Sequence, residues 1–100
     1  MLLLHEEATT LLGLGPAALV VTAANGRVLV ANARTEGMLG YPRHELIGQP
    51  IERFLPPDNA DHTRRAVRRN GEEVPVDVST GSVRWPGGVL ISSLVRDATA

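Results

Sequence analysis

Two apolar runs near the start of the chain, separated by an Asn-Gly pair, predict a β-hairpin. The first run covers residues 17–22 and the second covers residues 27–31. Asn25-Gly26 lies between them, and this pair readily adopts the positive φ angles of a tight hairpin turn. Because polar residues do not alternate with apolar ones in the first run, we expect a central strand that is covered on both faces or shared with a partner.

Apolar clusters bounded by helix-breaking residues predict three short helical turns after this hairpin. Asn32 is placed to cap the first helix, and Gly40 is placed to end it. Pro42 suits the first position of a second helix, which we expect to end at Gly48. A last turn is predicted over residues 51–55, before two consecutive prolines. This tract is the expected wall of a pocket.

A second Asn-Gly pair predicts another hairpin in the C-terminal half of the chain. We expect its first strand to begin at Arg64 and its turn to lie at Asn70-Gly71. In residues 74–79 valine occupies every second position, which is the period of a strand with one buried face. A further turn at residues 85–88 leads to a last strand over residues 89–95, which the chain leaves at Arg96.

The first 15 residues are rich in leucine and predict an amphipathic helix that flanks the domain. Their apolar positions recur at helical spacing, and Gly13, Gly15 and Pro16 end the pattern. Such a helix either packs on its own domain or forms a dimer contact, because so many leucines must be covered. The expected dimer contacts are Leu3, Leu4, Leu11 and Leu12.

The composition of the chain narrows the functional classes. Its 100 residues suffice for one domain with one core, which we place at residues 16–100. Ten basic and eleven acidic side chains give a net charge of −1, so no overall field attracts nucleic acid or an anionic membrane. No apolar run reaches the roughly 18 residues needed to cross a bilayer. The absence of cysteine excludes disulfides, thiolate catalysis and zinc–thiolate sites, and it fits a cytoplasmic protein.

Several motifs, taken in order, resemble those of the PAS domains. They are Asn25-Gly26-Arg27, Asn32, Gly40-Tyr41 followed by Glu45-Leu46-Ile47-Gly48, Phe54-Leu55-Pro56-Pro57, Arg68-Arg69-Asn70-Gly71 with Val74-Pro75-Val76, and Arg96-Asp97-Ala98-Thr99. Each motif is weak evidence alone, but together they cover nearly everything after the N-terminal helix. The resemblance implies an α+β fold with a five-stranded antiparallel sheet in the order 2-1-5-4-3 and short helices on one face.

The resemblance also implies a role in sensing. PAS domains sense small molecules, redox state or light, or mediate pairing, and they pass the change to an attached output domain such as a kinase, phosphatase, cyclase or transcription regulator. The signal would leave through Arg96, Asp97 and Thr99. The side chains expected to line a ligand pocket, which an ordinary filled core would also use, are Val21, Val30, Met38, Leu39, Leu46, Ile47, Phe54, Val76, Ile91 and Leu94.

One segment departs from the family pattern. PAS domains usually have a helix that closes the pocket before the third strand, whereas only residues 58–63 lie between Pro57 and Arg64. In haem-binding members the axial histidine lies on that helix, so the resemblance makes His62 the candidate haem ligand. A flavin adduct of the LOV type needs a cysteine and is excluded. Haem and non-covalent flavin stay open as cofactors, and we expect no other metal site.

The chain offers little for catalysis. His44, Glu45 and Glu52 lie near one another in sequence, but nothing orients a nucleophile beside them. The arginines of residues 64–69 are flanked by acidic residues, which indicates a solvated hairpin edge rather than a nucleic-acid site. We therefore expect a non-enzymatic sensory module of a larger protein, homodimeric, with no nucleic-acid or membrane partner within this chain. The alternative is a ligand-free module for homodimerisation or protein interaction.

Overall fold

The computed structural model describes residues 17–57 and 64–98. The predicted flanking helix at residues 1–15 and the shortened segment at residues 58–63 lie outside this part of the chain. The same holds for the expected dimer contacts, the candidate haem ligand and one of the expected relay residues. These residues are Leu3, Leu4, Leu11, Leu12, His62 and Thr99. The predictions made for them stay predictions.

Five antiparallel strands form one sheet, and three short helical segments follow the second strand. The strands are β1 (Ala18–Ala23), β2 (Val28–Ala31), β3 (Arg64–Val67), β4 (Glu73–Trp85) and β5 (Gly88–Asp97). The helical segments are α1 (Ala33–Leu39), α2 (Arg43–Leu46) and a 3₁₀ helix (Ile51–Arg53). The strand order is β2-β1-β5-β4-β3, which confirms the α+β fold that the motifs implied.

The first strand is central, as its uninterrupted apolar sequence predicted. It pairs with β2 on one side and with β5 on the other. Ala18 and Val20 join the core beneath the helices, while Leu19 and Val21 point to the opposite face, because side chains alternate along a strand. All four side chains are buried, so both faces of β1 are covered. We call the face without helices the outer face of the sheet.

The local turn and cap residues act as the sequence predicted. Gly26 has a φ of +85° in the turn between β1 and β2. Asn32 caps α1, since its side chain accepts a hydrogen bond from the backbone N–H of Thr35 at 3.0 Å. Gly40 ends α1 in the left-handed conformation, with a φ of +80° and its N–H donated to the carbonyl of Glu36. These residues fix where the first helix begins and ends.

The C-terminal hairpin is longer than predicted. The ladder between β4 and β5 runs from Val76 opposite Asp97 to Trp85 opposite Gly88. Its middle contains glycine, which is depleted in strands, but the hydrogen bonds to β5 hold this part of the strand in place. Arg96 and Asp97 therefore lie within β5, and the expectation that the strand ends before them was wrong.

A single apolar core lies between the sheet and the helices. Phe54 and Leu46 are its largest fully buried side chains. Tyr41 is half-buried and meets Phe54 edge to face, with ring centroids 5.1 Å apart and an interplanar angle of 72°. Val76 and Val78 reach the same core from β4, as the alternation in that strand predicted. No helix in the described part of the chain is long and apolar enough to cross a membrane.

Candidate functional site

The space between the sheet and the helices is a packed core. The cavity that remains among Leu39, Leu46 and Phe54 measures about 10 Å³. One water molecule needs about 10–15 Å³, and small-molecule sites begin at about 300 Å³. A ligand could therefore occupy this space only if the core side chains moved apart.

Half of the predicted pocket residues belong to this core or pack against it. They are Met38, Leu39, Leu46, Phe54 and Val76. Ile91 lies on the same side of the sheet, opposite Thr22 of β1, and is half-buried. Ile47 is not buried as expected: it is 39% exposed, because it follows α2 with an extended backbone that turns it away from the core.

Three predicted pocket residues lie on the outer face of the sheet and cannot line a pocket beneath the helices. Val21 is directly opposite Val30, and Leu94 is directly opposite Leu19. Opposed residues of an antiparallel pair share a face. Each of these four residues is next in sequence to a residue whose side chain faces the helices, so its own side chain faces the other way. The placement of Val21, Val30 and Leu94 in the pocket was therefore wrong. Apolar character indicated that these positions are at least partly buried, but it did not reveal their face.

An open groove of about 690 Å³ lies between α1 and the C-terminal end of β5. Of the lining residues that the structure describes, four belong to α1, one each belongs to β4 and β5, and one directly follows β3. They are Ala33, Arg34, Gly37, Met38, Arg68, Val74 and Asp97. Because the groove opens to solvent, a small molecule can enter it without disturbing the packed core.

Small side chains on α1 leave room for the groove. Ala33 and Gly37 are four residues apart and therefore lie on the same side of the helix. A Cβ atom built on Gly37 would meet no atom of residues 17–57 or 64–98 within 4 Å, apart from its chain neighbours and the backbone of its own helix. Met38 and Val74 are half-buried and add apolar surface to the lining. The groove thus combines open space with an apolar wall.

The α1 wall is held firmly against β1. Asn32 Oδ1 accepts a hydrogen bond from the backbone N–H of Leu19 at 3.0 Å, and Asn32 Nδ2 donates to the carbonyl of Ala17 at 3.2 Å. The hydroxyl of Thr35 lies 2.9 Å from the carbonyl oxygen of Leu19. All of these bonds are buried, where polar groups need partners. The groove therefore has one rigid side.

Two guanidinium groups and one carboxylate line the groove. Arg34 is exposed and pairs with no side chain or carbonyl in the described residues. Arg68 lies 3.7 Å from the carboxylate of Glu72, while its Nε is buried without a hydrogen-bond acceptor in that part of the chain. Asp97, the last residue of β5, supplies the carboxylate. Among the described lining residues, two positive charges therefore face one negative charge.

Sequence reasoning missed most of this groove. Of its residues, only Met38 and Asp97 had been singled out as functional. The sequence predicts Arg68 to be part of a solvated hairpin edge, and its exposed ion pair with Glu72 agrees with that prediction. The close pairing of Arg69 with Glu45, at 3.4 Å, does so as well. The spacing of Ala33 and Gly37 was the one available signal of an open helix face.

No metal site is evident in residues 17–57 and 64–98. No three histidine, aspartate or glutamate side chains in those ranges are grouped so that they could hold a metal ion. The haem hypothesis depends on His62, which lies outside those ranges. The described residues thus offer a groove with arginines rather than a coordination site.

Comparison with known proteins identifies the family. A family model described as the PAS fold matches residues 9–80. No curated protein matches the chain. Among solved structures, the PAS domain of an HTR-like protein from Haloarcula marismortui is 23% identical, with a TM-score of 0.72, and the match covers 94% of this chain and 99% of that one.

Two further solved structures show the same fold at lower identity. The PAS domain of a two-component sensor histidine kinase is 17% identical, with a TM-score of 0.71, and the match covers 93% of this chain and 95% of that one. The LOV domain of the blue-light photoreceptor Aureochrome1 is 12% identical, with a TM-score of 0.72, and the match covers 90% of this chain and 88% of that one. Since the family model spans most of the chain, and the strand order agrees, the chain belongs to the PAS family.

Proposed function

We propose that this PAS domain is the sensory module of a larger signalling protein and that it binds a small ligand in the groove beside α1. The ligand changes the pairing at the end of β5, and the change passes to an attached output domain. The observation that carries this proposal is that one groove is lined by both α1 and Asp97, the last residue of β5. A ligand there contacts the strand that leads out of the domain.

The end of β5 is suited to respond to such a ligand. Asp97 lies opposite Val76, and the next residue, Ala98, donates its N–H to the carbonyl of Pro75 at 2.9 Å. This is the last backbone hydrogen bond described between the two strands, and terminal bonds of a ladder open most easily. A ligand whose charge attracts or repels the carboxylate of Asp97 would strengthen or break this bond. Arg96, Asp97 and Thr99 are then the relay residues.

Native mass spectrometry of the purified chain, beside its denatured mass, tests the proposal. We expect extra mass that is lost on denaturation and is reduced in Gly37→Leu, whose side chain fills the groove. The same spectrum distinguishes between haem and flavin as cofactors, because the two have characteristic masses. A haem mass that disappears in His62→Ala would instead support haem ligation. A wild-type chain with no bound mass would contradict the ligand-binding proposal.

A second candidate function is a ligand-free homodimerisation module. The outer face of the sheet favours it, because that face carries a row of apolar side chains. They are Leu19, Val21, Val30, Val83, Leu90 and Leu94. Val83 is 55% exposed, so part of this row is available to a second copy. Such a surface is common where proteins associate.

Sedimentation equilibrium distinguishes this second candidate. If the outer face pairs two copies, Val83→Glu will make a dimeric wild type monomeric. Ser82→Glu is the matched control, because Ser82 is the neighbouring exposed residue and points to the other face of the sheet. A monomeric wild type, or equal effects of the two variants, would rule out dimerisation through this face.

A further inference from the structure

We propose that the ligand of the groove is a small organic anion with a short apolar body, and that its anionic group pairs with Arg34 and Arg68. This inference rests on the proposed function in placing a ligand beside α1, and it adds the chemical class of that ligand. Three properties of the groove carry it: two incompletely paired guanidinium groups, an apolar lining next to them, and open space of about 690 Å³.

The arginines favour an anion. Arg34 has no partner in the described residues. Arg68 has only a long contact of 3.7 Å with Glu72, which exceeds the usual length of a hydrogen bond. Its Nε is buried, but the side chain as a whole is 36% exposed. A carboxylate in the groove can therefore accept a charge-assisted hydrogen bond from the terminal nitrogens of this guanidinium.

The rest of the lining favours an apolar body. Met38 and Val74 are half-buried and present apolar atoms to the groove. Gly37 adds no side chain, so a ligand can lie directly on α1. Each methylene group removed from water contributes about fourfold in affinity. An anion of only one or two carbons would leave this surface uncovered and bind weakly.

Titration of ¹⁵N-labelled protein, followed by NMR at constant ionic strength, tests the inference with three probes. Hexanoate carries both proposed features, hexanamide lacks the charge, and acetate lacks the apolar body. We expect hexanoate to shift the amide signals of Gly37, Met38 and Val74. It should bind about tenfold more tightly than hexanamide and at least tenfold more tightly than acetate, because it buries additional methylene groups. Hexanamide binding as tightly as hexanoate would overturn the proposal, and so would acetate doing so.

Four variants link the binding to the groove. Arg34→Gln and Arg68→Gln should each weaken hexanoate binding about tenfold. Arg84→Gln is the matched control: Arg84 is exposed, has no partner in the described residues, and lies ten residues further along β4 than Val74. Gly37→Leu should abolish binding without loss of stability, because its side chain enters open space on a helix. Unchanged binding in Arg34→Gln and Arg68→Gln would overturn the assignment.

Amide exchange of Ala98 separates this inference from the proposed function. The Ala98 N–H bonds to Pro75 at the end of β5, outside the groove lining. If hexanoate binds as expected but leaves that exchange rate unchanged, the anionic ligand class is supported and the proposed transfer of the signal through the end of β5 is contradicted. If only uncharged molecules bind the groove and alter the exchange, the relay stands and the anionic class is wrong.

Discussion

The side chain of Asn32 accepts a hydrogen bond from the backbone N–H of Leu19, 13 residues earlier in the chain, at a distance of 3.0 Å. The same oxygen caps α1 by accepting from the N–H of Thr35. One buried amide group therefore fixes the start of the helix and ties it to the central strand. The α1 wall of the groove depends on this link.

Replacement of Asn32 should destabilise the fold more than the loss of an ordinary helix cap does. We expect Asn32→Ala to lower the free energy of unfolding by about 2–4 kcal/mol, because it removes the cap and leaves buried groups of Leu19 and Ala17 without partners. Urea denaturation followed by circular dichroism measures the change. Asn25→Ala is the control, since Asn25 makes one exposed bond to Arg27 at 3.0 Å and should lose less than about 1 kcal/mol. Equal losses would show that the buried link is unimportant.

Alanine substitutions at two glycines of the same helical region should change the stability of the fold in opposite directions. Gly37 lies inside α1 with open space around its Cβ position, so Gly37→Ala should stabilise the fold by about 0.5–1 kcal/mol. Gly40 has a φ of +80°, so Gly40→Ala should destabilise it by about 1–2 kcal/mol. Thermal unfolding of the two variants beside the wild type measures both. Shifts in the same direction would contradict the described end of α1.

The core should depend strongly on its central phenylalanine. Phe54 is 2% exposed, and its ring and that of Tyr41 form an edge-to-face pair. Phe54→Ala should therefore lower the free energy of unfolding by about 3–5 kcal/mol. Trp85 is larger but is 51% exposed at the end of the C-terminal hairpin. Trp85→Ala should therefore lower the free energy of unfolding by less than about 1 kcal/mol. Chemical denaturation gives both values. A larger loss for Trp85→Ala would mean that the hairpin end is buried against a partner.

The only tryptophan of the chain should be a poor reporter of global unfolding. Because Trp85 is half exposed, its fluorescence should already resemble that of hydrated indole in the native state and should shift little in urea. Circular dichroism should show a full cooperative transition under the same conditions. A strongly blue-shifted native emission that moves with the circular dichroism transition would show that Trp85 is covered, as in a dimer.

Local features were predictable from single residues. The turn glycine at residue 26, the cap at Asn32 and the helix end at Gly40 all depend on conformational preferences of the residues themselves and their nearest neighbours. The uninterrupted apolar run of β1 likewise indicated burial on both faces, because each residue carries that information in its own side chain. The strand order followed from the resemblance of ordered motifs to a known family.

Features that depend on distant partners were not predictable in this way. Val21 and Leu94 look like any other core residues, and only the register of β1 with β2 and β5 assigns them to the outer face. The polar second half of β4 becomes strand because β5 supplies its hydrogen bonds. The groove is lined by α1 together with residues of β4 and β5 and the residue after β3, so Arg34 and Arg68 line one surface although 34 positions separate them in the chain. Short-range preferences are encoded residue by residue, whereas a shared surface arises only when packing brings remote segments together.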